Sequence, residues 1–148
     1  MNEASIWRSP QSLAELNAAM RGTLAEALGI ELTEIGPDSV TGTMPVDHRT
    51  IQPYGLLHGG ASVALAESLG SVAAGLVVDG KRAVCVGQEI NANHVRAVRE
   101  GMVIGTARPV HLGSRSQVWD IRIVDEAGRL VCVSRLTMAV LERRGSGD

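Results

Sequence analysis

Two features inside one apolar run carry groups able to do chemistry: His58-Gly59-Gly60 and, further along, Glu67. The run, GLLHGGASVALAESLGSVAAGLVV over residues 55–78, is otherwise small and apolar. A carboxylate taken out of water without a partner is strongly disfavoured. Desolvation is expected to push the Glu67 carboxyl upward, toward the range useful to a general base or nucleophile. The alternative is a structural Glu satisfied by Ser71, at i+4 on the same helix face, or by a cation from a neighbouring strand.

His58-Gly59-Gly60 stands where a polar loop becomes a helix. The first turn of a helix has unbonded N–H groups and a partial positive potential. Two glycines there let an incoming group approach closely, which suits an oxyanion hole. The same pair also suits a tight entry of the chain into its helix. Gly59 and Glu67 are eight residues apart, about 12 Å along a helix axis. A base and an oxyanion donor serving one carbonyl must each lie about 3 Å from the reacting group. One straight helix does this poorly. Two antiparallel helices side by side do it well, with Gly59 of one chain facing Glu67 of the other, so the spacing points to a symmetric dimer with two sites.

Other chemistries find less support. His48, His58, His94 and His111 form no close ligand pair, and Cys85 and Cys132 have no metal spacing, so no metal site is expected. Ser62 and Ser71 lack a G-x-S-x-G context, and no G-x-G-x-x-G or Walker pattern occurs. Two segments are equipped for phosphate. NANHVRAVRE carries His94, Arg96 and Arg99; PVHLGSRSQ carries His111, Ser114 and Arg115 around Gly113. Gly113-Ser114-Arg115 combines backbone N–H, hydroxyl and guanidinium, or is simply a polar hairpin tip with solvated arginines.

Positioning these groups falls to a chain of 148 residues, about one ordinary domain, with 45% hydrophobic and 20% charged residues. Trp7, Tyr54 and Trp119 are the only aromatics, so an aliphatic core is expected. A net charge of −2 supplies no field that would draw nucleic acid. Lys81 is the only lysine among 14 cations; the arginine excess fits phosphate recognition or a biased codon composition. The cysteines read as buried thiols of a reducing compartment. MNEASIWRSPQ lacks the regions of a signal peptide, and Glu67 argues against membrane insertion of the apolar run.

Ser12-Leu13-Ala14-Glu15 is a capping box, and Leu13, Leu16, Met20, Leu24 and Leu28 continue at helical spacing to a stop at Gly29. Strands are expected at 31–36 and 39–46, joined by Gly36-Pro37-Asp38, then a loop over 47–55 and the long apolar helix, ended by Asp79-Gly80. Four strands follow at 83–95, 102–112, 116–124 and 130–141, read as an antiparallel meander, with a loose polar tail over 142–148. A helix apolar all round must be enclosed, so the expected fold class is α+β, an antiparallel sheet of about six strands wrapped around one long central helix in a single domain.

MPVDHRTIQPYGLLHGGASVALAES, EINANHVR and PVHLGSR, in that order and spacing, resemble the hotdog-fold acyl-CoA thioesterases, in the branch related to phenylacetate-degradation and 4-hydroxybenzoyl-CoA thioesterases. The resemblance runs from about Leu13 to Leu141. It implies the hotdog fold, assembled as a homodimer that forms the active sites and usually as a homotetramer. It implies Glu67 as the catalytic carboxylate, nucleophile or base for water, and the Gly59 N–H as oxyanion donor. Gln52 and His58 match the side chains that hold and polarise the thioester carbonyl, and Ser71 the hydroxyl that assists Glu67 or the attacking water. Gly87, His94, Val95, Arg96 and Ala97, together with His111, Leu112, Gly113, Ser114, Arg115 and Ser116, match the parts that contact coenzyme A. Coenzyme A is then part of the substrate and no separate cofactor is implied. Tyr54 stands where relatives often have Phe, and Ser116 where they often have a larger polar residue, which leaves the acyl preference open.

The expectation is a cytoplasmic acyl-CoA thioesterase acting on aryl- or medium-chain acyl groups, with no nucleic-acid or membrane partner. A hotdog enoyl-CoA hydratase, with His58 and Glu67 sharing proton transfer, and a non-catalytic acyl-CoA-binding protein are the alternatives.

Overall fold

The computed structural model describes residues 4–143. Helix α1 (Leu13–Ala19) opens on the predicted box: the Ser12 hydroxyl accepts from the Glu15 N–H, and the Glu15 carboxylate accepts from the Ser12 N–H. The leucine spacing predicts that this helix runs to Leu28, but it stops early. Gly22 adopts φ 72°, and a second short helix, α2 (Leu24–Ala27), starts after Thr23. A residue in the left-handed region ends a helix whatever the periodicity beyond it. Leu24, expected on the inner face, is consequently 65% exposed.

The remaining elements are β1 (Glu31–Ile35), β2 (Val40–Pro45), α3 (Gly59–Val77), β3 (Ala83–His94), β4 (Met102–Leu112), β5 (Ser116–Asp125) and β6 (Leu130–Glu142). They form one six-stranded antiparallel sheet in the order β1-β2-β4-β5-β6-β3. β4, β5 and β6 are the expected meander. β3 is not part of it: β2 occupies the free edge of β4, so β3 pairs with β6 at the far side of the sheet.

α3 lies across this sheet. Leu65, Ala66, Leu69 and Ala73 are fully buried against it. Leu69 is seated by two glycines that pair directly across strands, Gly42 of β2 and Gly105 of β4. A Cβ at either would come within 2.8 or 2.7 Å of the Leu69 methyls, so the hole exists only because both lack one. The core is not purely aliphatic, as expected from composition. Trp119 is fully buried, donates from Nε1 to Gln117 Oε1 at 2.9 Å, and stacks on Trp7 with centroids 6.5 Å apart.

Trp7 belongs to an N-terminal segment for which the sequence carried no periodic signal. Ile6 N–H donates to Pro37 O at 3.0 Å, and the Arg8 and Ser9 N–H groups donate to Leu76 O at 2.9 and 3.0 Å. The tail is ordered further than expected: Glu142 pairs with Ala83 in the sheet, and Arg143 N–H donates to Arg82 O at 2.8 Å. Residues 144–148 of the expected tail lie outside the described residues.

α3 is long and apolar enough to cross a bilayer, with mean hydropathy 1.4, but it is the core helix of this sheet. The sheet covers only one of its sides, so the expected enclosure is incomplete in a single chain. Val63, Ala64, Glu67, Ser68, Ser71 and Val72 are half-buried and Gly75 is exposed, a strip along the outer side.

Candidate active site

The sequence-predicted residues fall into three groups along α3. At its N-terminal end, the loop after β2 folds back on itself. Thr50 is buried, accepts from the Asp47 N–H at 3.1 Å and donates to Pro45 O at 2.7 Å. Arg49 grips the Asp47 carboxylate at 2.7 Å. That hydrogen bond holds the Asp47 carboxyl well below its ordinary range, at about 2. The Ile51–Leu57 bridge and the His58 N–H to Thr50 O bond, 2.8 Å, then deliver the chain to the helix. Gln52 sits in this turn, its Oε1 accepting from the Tyr54 N–H, which leaves its amide NH₂ free to donate.

His58 is the N-cap of α3, with Nδ1 accepting from the Gly60 N–H at 2.8 Å. An imidazole that accepts at Nδ1 carries its proton on Nε2, where it is available to a ligand. Ala61 and Ser62 N–H groups bond His58 O, whereas Gly59 N–H donates to no group among the described residues. That free donor at a helix N-terminus is what an oxyanion requires. His94, at the end of β3, lies directly over it: a Cβ on Gly59 would come within 2.7 Å of His94 Nε2. Val95, Arg96 and Ala97 follow, all exposed, and are held by the Val95 and Arg96 N–H bonds to Val131 O.

Glu67 occupies the middle of the helix, on the uncovered strip. It is half-buried and enters no hydrogen bond or ion pair among the described residues. Neither structural partner considered from sequence is present: Ser71 Oγ lies 4.0 Å from Met138 Sδ instead, and no cation reaches the carboxylate. Gly87 of β3, at a bulge in the β3–β6 register, lies against it. A Cβ there would stand 2.5 Å from Glu67 Oε1. Gly87, expected as a coenzyme A contact, also brings its backbone close to the carboxylate.

The third group is elsewhere. His111 and Leu112 end β4, Gly113, Ser114 and Arg115 form the β4–β5 connection, and Ser116 begins β5, the turn closed by Gly113 N–H to Ser116 O at 2.9 Å. Leu112, Gly113 and Ser114 share a cavity of about 490 Å³ with Val77, Val78 and Asp79. They therefore stand at the C-terminal end of α3, while His94–Ala97 stand at its N-terminal end. One chain does not bring the two segments together. Arg96, Arg99 and Arg115 enter no ion pair among the described residues.

No cluster of three His, Cys, Asp or Glu side chains able to hold a metal occurs among the described residues. Cys85 and Cys132 are unbridged, and burial pushes both thiols up. The positions of Gly87 under Glu67 and of His94 over Gly59 were not visible in any local motif. Both depend on where β3 pairs.

The family model described as "Thioesterase superfamily" matches residues 54–132, which span Tyr54 through the helix and β3 to Cys132. The chain is 58% identical to the 1,4-dihydroxy-2-naphthoyl-CoA hydrolase of Escherichia coli, over 92% of this chain and 99% of that one. It is 55% identical to the proofreading thioesterase EntH of Cronobacter turicensis, over 92% and 98%. A crystal structure of a variant thioesterase from Pseudomonas aeruginosa superposes with a TM-score of 0.92 at 50% identity, over 94% of this chain and all of that one. The six-stranded antiparallel sheet laid on one long helix is thus the fold of a known thioesterase, and the chain belongs to the thioesterase superfamily, as a thioester hydrolase of the hotdog fold.

Proposed function

We propose that the thioester is an acyl-CoA and that each active site is assembled from two copies of this chain. The observation that carries this is the division of labour along α3: the free Gly59 N–H and the unpartnered Glu67 carboxylate lie about 12 Å apart on one straight helix. Both act on one carbonyl when a second α3 packs antiparallel against the uncovered strip. The same arrangement turns the β4–β5 connection of one copy toward the His94–Ala97 side of the other, because the C-terminal half of one helix runs past the N-terminal end of its neighbour. The two groups of arginines then face a single coenzyme A.

In that site the Gly59 N–H, the Gln52 amide and the His58 Nε2–H of one copy polarise the carbonyl and receive its developing negative charge. Glu67 of the other copy acts on the carbonyl carbon by one of two routes. It attacks directly, expelling the CoA thiolate and leaving a mixed anhydride that water then cleaves. Alternatively it takes a proton from water, which attacks in its place. Either route converts thioester and water into acid and thiol. Ser71, one turn beyond Glu67, orients the water in this reading. The chemistry needs no cofactor beyond the coenzyme A of the substrate. Acyl groups of the aryl and medium-chain type, 1,4-dihydroxy-2-naphthoyl among them, fit this reading, as do a homotetramer built from two such dimers and a cytoplasmic location.

The test is Glu67→Ala assayed for thiol release from benzoyl-CoA, alongside crotonyl-CoA hydration by the wild type. Loss of at least about a hundredfold in kcat supports the assignment. Turnover within about tenfold of wild type removes Glu67 from the chemistry, and faster hydration than hydrolysis removes the thioesterase reading.

A further inference from the structure

The uncovered side of α3 continues beyond the catalytic carboxylate. Glu67, Ser71 and Gly75 follow at i, i+4 and i+8, one ridge of the helix. Ser71, Val72 and Gly75 form one wall of a cavity of about 280 Å³, with Val84 and Cys85 of β3 also lining it. Ser9 lines it too, in the N-terminal segment. That segment is fixed: besides the two N–H bonds to Leu76 O, Ser9 Oγ donates to Val78 O at 2.8 Å and accepts from the Gly80 N–H at 3.0 Å. These bonds satisfy carbonyls that a helix end leaves open. The wall is therefore built into the cap of α3.

Gly75 is the residue that keeps this slot empty. Glycine inside a helix is less favourable than alanine. Gly70, on the buried side, is required, since a Cβ there would stand 2.6 Å from Leu136 Cδ2. At Gly75 a Cβ would meet nothing within 4 Å. Among the described residues no turn and no packing calls for glycine at this position.

We infer that Gly75 sets the length of acyl group the enzyme accepts, the slot from Ser71 to Ser9 holding the end of the acyl chain remote from the thioester. This rests on the reading above, which puts the reacting carbonyl at Glu67. From Glu67 to Gly75 is about 12 Å along the axis, the length of an extended chain of about ten carbons. The antiparallel register that sets Gly59 level with Glu67 leaves Gly75 beyond the N-terminus of the second copy's α3. The substrate class is a medium-chain acyl thioester.

The series Gly75→Ala, Gly75→Val and Gly75→Leu, in the full-length protein, tests this through kcat/KM for benzoyl-CoA and decanoyl-CoA, with solution mass measured for each variant. Benzoyl-CoA is expected to stay within about threefold throughout, while decanoyl-CoA falls stepwise, by about thirtyfold or more at leucine. Decanoyl-CoA unaffected by Gly75→Leu, or both esters falling together, overturns the slot. Should leucine change the solution mass, Gly75→Ala decides, because alanine is the better helix former and its decanoyl-CoA loss must already be measurable. A wild type that hydrolyses benzoyl-CoA but not decanoyl-CoA overturns the slot alone. A wild type that hydrolyses neither overturns the acyl-CoA reading and the slot with it.

Discussion

Gly87→Ala separates a positioning role from a structural one. The new Cβ would stand 2.5 Å from Glu67 Oε1, against an ordinary contact of about 3.5 Å, so one of the two must move by about 1 Å. Gly87 lies in β3, hydrogen-bonded along β6, whereas Glu67 Oε1 is the end of a flexible, half-buried side chain without a partner. The carboxylate therefore yields and the strand does not. Folding stability should hold or rise slightly, because glycine inside a strand is about 0.5–1 kcal/mol worse than alanine. Catalysis should not hold: a reacting group misplaced by about 1 Å costs on the order of a hundredfold in rate, close to 2.7 kcal/mol of barrier. The assay is kcat for benzoyl-CoA hydrolysis beside a thermal melt. A variant that melts at or above the wild-type temperature yet retains kcat within about threefold would refute the claim that Gly87 shapes the position of Glu67.

Two further outcomes test the frame around the site. Leu69→Ala empties a hole whose walls, Gly42 and Gly105, carry no side chain able to refill it, and should cost about 3–5 kcal/mol in denaturant unfolding. A loss below about 1.5 kcal/mol would mean that the helix and sheet can close over the gap. Asp47 has its carboxyl lowered to about 2 by Arg49, from an ordinary value of 3.8. A depressed folded value means that its contribution is complete above about pH 4 and is lost as the pH falls toward 2. Asp47→Asn should therefore melt below wild type at pH 6, with the gap narrowing by pH 2; a gap that is constant across that range contradicts the ion pair as its source.

Much of this architecture was legible in the residues. The apolar run from Gly59 to Val77 and the alternation of the later strands announced a helix against a sheet, and His58-Gly59-Gly60 with Glu67 announced the chemistry. What stayed hidden depends on contacts distant in sequence. Leucine spacing across Met20 to Thr23 predicts a continuous helix, and only the left-handed Gly22 breaks it. β3 reads as a fourth meander strand, yet its partner is chosen by which sheet edge β2 leaves open. Gly87 and His94 were assigned to coenzyme A by resemblance, while the β3 register brings one under Glu67 and the other over Gly59. Ile6 to Ser9 carry no periodicity at all. Their order comes from Leu76 and Pro37 carbonyls and from the Trp7–Trp119 stack.

The central claim, that Glu67 of one chain works with His58 and Gly59 of another, is tested by mixing two inactive proteins. Glu67→Ala and His58→Ala, each purified alone, should hydrolyse benzoyl-CoA at background rates. When the two are co-refolded, half of the dimers are mixed, and each mixed dimer contains one site with an intact Glu67 and an intact His58. Activity should return to about a quarter of the wild-type value. If the mixture stays as inactive as its components while its solution mass shows dimers, the groups act within one chain and the account is wrong.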